Sequence, residues 1–278
     1  MATLSTTNPT LSDVAKRYDA DGKIDTIVEM LAETNEVLED MTFLEGNLPT
    51  GHRTTIRSGL PGSTWRKLNY GVQPSKSTTV QVTDTTGMLE AYAEVDKSLA
   101  DLNGNTGAFR LSEDRAFLES MNQTMANTLF YGDTGTDPEK FMGLSARYNS
   151  TSAASGDNII LGGGSGSDNT SVWLVCWGPN TIHGIYPKGS QAGLNHHDLG
   201  EVTLEDAANG KYQGYRTHYK WDVGMTVRDW RYAVRIPNID ISALTKDASG
   251  ASANLVDLMV QAIELLPNTN LGRCVFYG

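Results

Sequence analysis

From Gly46 to Thr83 the chain contains no Asp and no Glu, although the protein as a whole carries a formal charge of −11. A surplus of that size repels nucleic acid in general, so any nucleic-acid role would be confined to a local patch. Cysteine is nearly absent as well. Cys176 and Cys274, the only two, exclude a disulfide framework and an all-thiolate zinc site, and they read as two reduced, half-buried thiols in a reducing compartment. Long apolar runs are also lacking: none approaches the ~20 residues of a spanning helix, and Met1–Pro9 has neither a basic nor an apolar leader segment. The expectation is a soluble, non-exported protein with no membrane partner.

What remains is a chain of 278 residues, enough for roughly two domains or for one with long excursions. An apolar fraction of 39%, 28 Gly and only 20% charged residues point to abundant turn and strand, with burial completed by other subunits. The acid-free stretch holds Arg53, Arg57, Trp65, Arg66, Lys67 and Lys76, whereas Leu11–Glu45 before it holds ten acidic residues, including Glu29, Glu33 and Glu36, against Lys16, Arg17 and Lys23. Gly51, Gly59, Pro61, Gly62, Gly71 and Pro74 mark the basic stretch as extended rather than packed. Trp65, Arg66, Tyr70 and Lys76 could clamp a single nucleic-acid strand by stacking. The acidic net charge favours pairing between copies of the chain instead.

Along the chain, Met1–Asp19 reads as a Thr-rich leader. Ile24, Ile27, Val28, Leu31 and Leu38 recur at helical spacing and predict a short acidic amphipathic helix. Thr50–Val82 predicts a long two-stranded excursion turning near Gly59-Leu60-Pro61-Gly62. The clearest element is a long helix over 112–131, with Ser112 as N-cap, Glu113 and Asp114 favourable to its dipole, and a stripe of Phe117, Leu118, Met121, Met125, Thr128 and Leu129 that stops at Gly132. Thr151–Thr170, with Gly162-Gly163-Gly164, reads as an exposed loop around a short strand at Ile159–Leu161. Strands follow at Val172–Trp177, Thr181–Tyr186, Tyr212–Trp221 and Met225–Ile236, the last two parted by a turn at Asp222-Val223-Gly224. A helix from Leu255 to Leu266 and a strand over Gly272–Tyr277 close an α+β second half.

The motifs of chemistry are missing. Gly162–Gly166 lacks the Gly-Lys-Ser/Thr of a phosphate loop. In His196-His197-Asp198 the two histidines are adjacent, so their side chains diverge where paired ligands need i, i+4 on a helix or i, i+2 on a strand, and Asp19-Ala20-Asp21-Gly22 lacks the remaining oxygens of a calcium loop. No Gly-x-Ser-x-Gly elbow occurs, and Cys176 sits in a buried strand between Trp173 and Trp177. The reading is a non-enzyme with no catalytic residue, metal or cofactor.

The order of parts (acidic arm, extended loop, long helix closing on Leu129-Phe130-Tyr131-Gly132-Asp133, the step Phe141-Met142-Gly143-Leu144, then an α+β domain) resembles the major capsid proteins of tailed bacteriophages, with the Hong Kong 97-type fold, and a podovirus-like member in particular. The resemblance implies an N-arm at 1–49, an extended E-loop at 50–87, a peripheral P-domain at 88–170 carrying the spine helix, and an axial A-domain at 171–278 that returns in part to the P-domain. It implies self-assembly into the hexamers and pentamers of an icosahedral head around double-stranded DNA, in the virion, built in the host bacterial cytoplasm. Expected partners are the chain itself, a separate scaffolding protein, since no long charged helical leader is present, and a cement or decoration protein. DNA would be met only by non-specific proximity. The chain also stops in a strand where relatives would continue through both domains. Some relatives close a Lys–Asn isopeptide bond, for which Lys67 and Lys76 are the loop candidates; noncovalent closure is expected here. The intersubunit contacts are expected from Arg53, Arg57, Trp65, Arg66, Lys67 and Lys76 to the arm acids Glu29, Glu33 and Glu36 or to Glu113, Asp114 and Glu119 of the spine helix. Two other readings stand beside this one: an encapsulin-type nanocompartment shell, and a β-rich nucleic-acid or receptor-binding module.

Overall fold

The structure is a computed structural model that describes residues 9–11, 13, 35–104, 106–165, 167–206, 208–242, 244 and 254–278. Most of the acidic helix expected over 24–38, and the turn at Asp19–Gly22, lie outside the described residues. In chain order the elements are α1 (Val37–Asp40), β1 (Phe43–Glu45), β2 (Gly51–Gly59), β3 (Thr78–Asp96), α2 (Lys97–Ala100), α3 (Thr106–Tyr131), α4 (Leu144–Arg147), β4 (Asn169–Trp177), β5 (Ile182–Tyr186), β6 (Asn195–Glu205), β7 (Lys211–Val227), β8 (Ala233–Asp240), α5 (Leu255–Leu265) and β9 (Arg273–Tyr277). The α+β class expected from the sequence is therefore what the chain adopts.

The chain forms two compact units, one of residues 1–35, 88–127 and 193–222, the other of 36–87, 128–192 and 223–278. In the first, β6 and β7 form an antiparallel pair from Asn195↔Lys220 to Glu205↔Lys211. Phe109 of α3 is fully buried with Val95 and Ala100, and Met121 packs with Ala93 and Tyr219. A ladder of ion pairs covers this unit: Arg216 with Glu94 at 2.5 Å, Lys97 with Glu201 at 2.7 Å and Arg110 with Asp198 at 2.6 Å. The Arg110 guanidinium, followed by the Gly200 amide, holds the Asp198 carboxyl below the usual carboxylate range.

In the second unit β4 is the central strand. It pairs antiparallel with β8 (Trp173↔Arg235) and with β9 (Trp173↔Tyr277), and its end meets β5 in parallel at Trp177↔Ile182. β5 continues to β1 in parallel and to the end of β7 in antiparallel. Such doubly flanked strands read as continuous apolar runs, and Trp173, Leu174, Val175, Cys176 and Trp177 are all buried. Leu174, Val234, Ile236 and Ile239 form a core under Ala262 and Leu266.

Five expectations change. The long helix begins at Thr106, six residues before Ser112, because burial of Phe109 draws Gly107 and its neighbours into the first turns; Ser112 is an interior residue, not a cap. β7 runs straight through Asp222-Val223-Gly224. Gly224 is there for a close approach, since a Cβ on it would stand 2.6 Å from the Thr85 carbonyl oxygen. β6 occupies what reads as a polar loop, because it is exposed along most of its length and carries no apolar alternation. The glycines at 162–164 run beside β8, with the Gly162 and Gly164 amides donating to the carbonyls of Pro237 and Asn238, and Ile159 makes only a bridge to Arg235. Finally, Cys176 and Cys274 are not separate thiols: β4 and β9 bring them opposite one another, and they form a disulfide.

Candidate assembly interface

β2 and the first part of β3 make the two-stranded excursion the sequence predicts, in register from Gly51↔Thr85 to Gly59↔Thr78. The turn is not the expected Gly59–Gly62. Instead the whole stretch 60–77 links the strands without strand structure of its own, pinned by Ser75 Oγ donating to the Gly62 carbonyl at 2.8 Å and by the Tyr70 amide on the Lys67 carbonyl. Thr and Val in the strands favour extension, and the Gly and Pro of the connection prevent it from continuing. Asn69 sits in the left-handed region at φ 64°, which Asn tolerates.

Leu60, Trp65, Leu68, Tyr70 and Val72 are exposed on this loop, Trp65 completely so. Arg53, Arg57, Arg66, Lys67 and Lys76 are exposed as well. Arg53 Nε donates to Thr83 Oγ1 at 3.2 Å, and among the described residues none of the five has a carboxylate within ion-pair distance. The loop thus exposes apolar and cationic side chains together.

The root of the excursion is built the opposite way. Asp84, opposite His52 in the strand register, is buried and accepts from Arg147 at 2.8 Å and from the Thr226 hydroxyl, while Arg147 also donates to the carbonyls of Met142 and Met225. Asn47 holds Arg53 by its backbone at both ends, its Oδ1 accepting at 2.7 Å and its Nδ2 donating at 2.8 Å. His52 meets His183 edge-on at 6.0 Å. Burial, then the charge of Arg228, keeps both histidines below their ordinary pKa, His183 down to about 4. The root is buried and ion-paired, although among the described residues His52 Nε2, His183 Nδ1 and Arg147 Nε have no hydrogen-bond partner there; the tip is exposed.

A family model described as major capsid protein GP7 matches residues 19–278. The chain belongs to that family of major capsid proteins. The structure of the bacteriophage Epsilon15 particle contains a chain that is 42% identical, aligned over 100% of this chain and 84% of that one, with a TM-score of 0.77. The capsid of a native GTA particle (11% identity, TM-score 0.53, 77% of this chain and 93% of that one) and the SrpI encapsulin of Synechococcus elongatus (10%, 0.55, 84% and 98%) share the fold alone. No curated protein matches. The chain is a phage capsid shell protein with the Hong Kong 97-type fold.

The expected acceptors in this capsid protein fare unequally. Glu29 and Glu33 lie outside the described residues. Glu36 precedes α1 and is exposed, as is Glu39. Asp40 is buried instead, held by Arg273 at 2.6 Å and by the Tyr277 hydroxyl at 2.7 Å, and Glu45 accepts from the Gly189 amide. On α3, Asp114 bonds the buried Tyr219, whose phenol is pushed up by burial and then by that carboxylate, and Glu119 accepts from Gln123 at 2.8 Å. Glu113 is half-buried. Asp84, Arg147 and the histidine pair are not legible in the sequence, since their meeting depends on strand register. Nor does any periodicity announce the exposure of Leu60 and Leu68.

Proposed function

We propose that the basic loop of this shell protein reaches across a neighbouring copy and fixes it, and that this contact is repeated through the hexamers and pentamers of an icosahedral head enclosing double-stranded DNA. The loop supports this reading by carrying both exposed aromatics and cations that have no acidic partner among the described residues, while Arg216, Lys97 and Arg110 are paired within their own unit. The acceptors that fit best are Glu36 with the arm residues Glu29 and Glu33; Asp114 and Glu119 are engaged by Tyr219 and Gln123, and with Glu113 they contribute field rather than direct bonds. Within this reading, residues 1–49 are the arm, 50–87 the loop, 88–170 the peripheral domain and 171–278 the axial domain.

Single exposed ion pairs are worth ~0–1 kcal/mol, but a closed shell repeats each of them over every subunit, and burying Trp65 and Leu68 adds roughly 1.5–3 kcal/mol each. Closure is noncovalent, a scaffolding protein directs assembly in the host cytoplasm and a cement protein reinforces the product. The role is structural, with no catalysis and no cofactor. The nanocompartment reading rests on fold alone, at 10% identity. Charge reversal at Arg66→Glu with Lys67→Glu tests the contact. The subunit should keep its circular dichroism spectrum while sedimentation shows assembly lost or made strongly salt-dependent; normal shells at low salt would refute the role.

A further inference from the structure

We propose that Cys176 and Cys274 form a reversible thiol–disulfide lock on the C-terminal strand, open in a thiol-rich medium and closed by exchange with a low-molecular-weight disulfide. The pair is the chain's whole complement of cysteine, so exchange has one intramolecular product. It lies between β4, flanked on both sides, and β9, a five-residue strand that among the described residues pairs with β4 alone. The two residues differ in exposure: Cys176 is fully buried, whereas Cys274 is only half-buried beside Phe276. An accessible thiol beside a shielded one is the arrangement of an attacking and a resolving cysteine.

The step balances as two exchanges. The Cys274 thiolate attacks one sulfur of glutathione disulfide, forming a mixed disulfide and releasing one glutathione thiolate. The Cys176 thiolate then attacks the Cys274 sulfur and releases the second. The protein loses two electrons and two protons, and the reagent becomes two thiols. Excess reduced glutathione runs the sequence backwards. The consequence extends past β9, because Arg273 and Tyr277 both hold Asp40, and Trp177 Nε1 donates to the Tyr277 hydroxyl at 2.8 Å. Closing the bond therefore fastens α1, within the proposed N-terminal arm, and the C-terminal strand to the same buried strand.

The test uses the full-length protein equilibrated in glutathione buffers of oxidising and reducing ratio, read by maleimide mass-tagging and thermal melting. Oxidised protein should take no tag until unfolded and reduced. It should melt roughly 5–15 °C above the reduced form, the scale expected for a closed loop of this length. Hydrogen exchange of residues 37–41 and 273–277 should slow together. Cys274→Ser and Cys176→Ala should show no response to the oxidant; if either fails to fold, the wild-type comparison decides alone. Thiols that stay reactive in oxidising buffer, a bond that survives excess reduced glutathione in folded protein, or equal melting temperatures would each overturn the proposal.

Discussion

Asp84 and Arg147 meet at 2.8 Å where the basic excursion begins, the carboxylate 5% and the guanidinium 18% exposed. Arg147→Met would leave that carboxylate buried without its cation, and the expected loss is ~3–5 kcal/mol in denaturant unfolding of the unassembled subunit. Adding Asp84→Asn should restore part of it, since a buried polar group bonded to Thr226 costs less than an unpaired charge. If the single variant unfolds like the native chain, the pair does not anchor the root.

His183 supplies the pH dependence. Its folded pKa of about 4 lies below the ordinary 6.5, chiefly through burial and then through Arg228 and His52, against the opposite pull of Asp84. Between those values the unfolded chain binds a proton that the native state does not. Stability is therefore fully present above about pH 6.5 and falls as pH drops towards 4, by at most ~1.4 kcal/mol per pH unit. Urea midpoints for the native chain and His183→Gln, taken across this window, should converge as the pH falls. Parallel curves would remove His183 from the account.

Two glycines of similar appearance should respond with opposite sign. A Cβ on Gly143 would stand 2.6 Å from the Thr128 carbonyl oxygen and 2.7 Å from the Gly132 nitrogen, whereas one on Gly107, in the first turn of α3, would meet nothing within 4 Å. Gly143→Ala should cost ~1–3 kcal/mol and Gly107→Ala should gain roughly 0.5–1 kcal/mol. Thermal melting of both variants checks the pair of signs.

These glycines also explain how much of the fold was legible. The end of α3 could be read because Gly132 and Gly143 are locked by sequence-local contacts, the Gly143 amide donating to the Gly132 carbonyl at 2.8 Å. The start could not, because Phe109 becomes helical only through burial against Val95 and Ala100. Gly224 looked like a turn since its real neighbour, Thr85, is distant in sequence. The interface divides in the same way. Charge and composition located the loop and its cations, because an absence of acids is visible residue by residue. The disulfide, the Asp84 anchor and the capture of Asp40 by β9 all depend on strand register, which two segments share and neither encodes alone.

The claim that the basic loop works between copies is tested most directly by amine–carboxyl cross-linking of shells assembled from an equal mixture of light and isotopically heavy subunits. Lys67 and Lys76 should give links to acidic residues of the N-terminal arm that include mixed light–heavy pairs in the proportion expected for random neighbours. Links that occur only as light–light and heavy–heavy pairs would show that the loop folds back on its own chain, and would contradict the account.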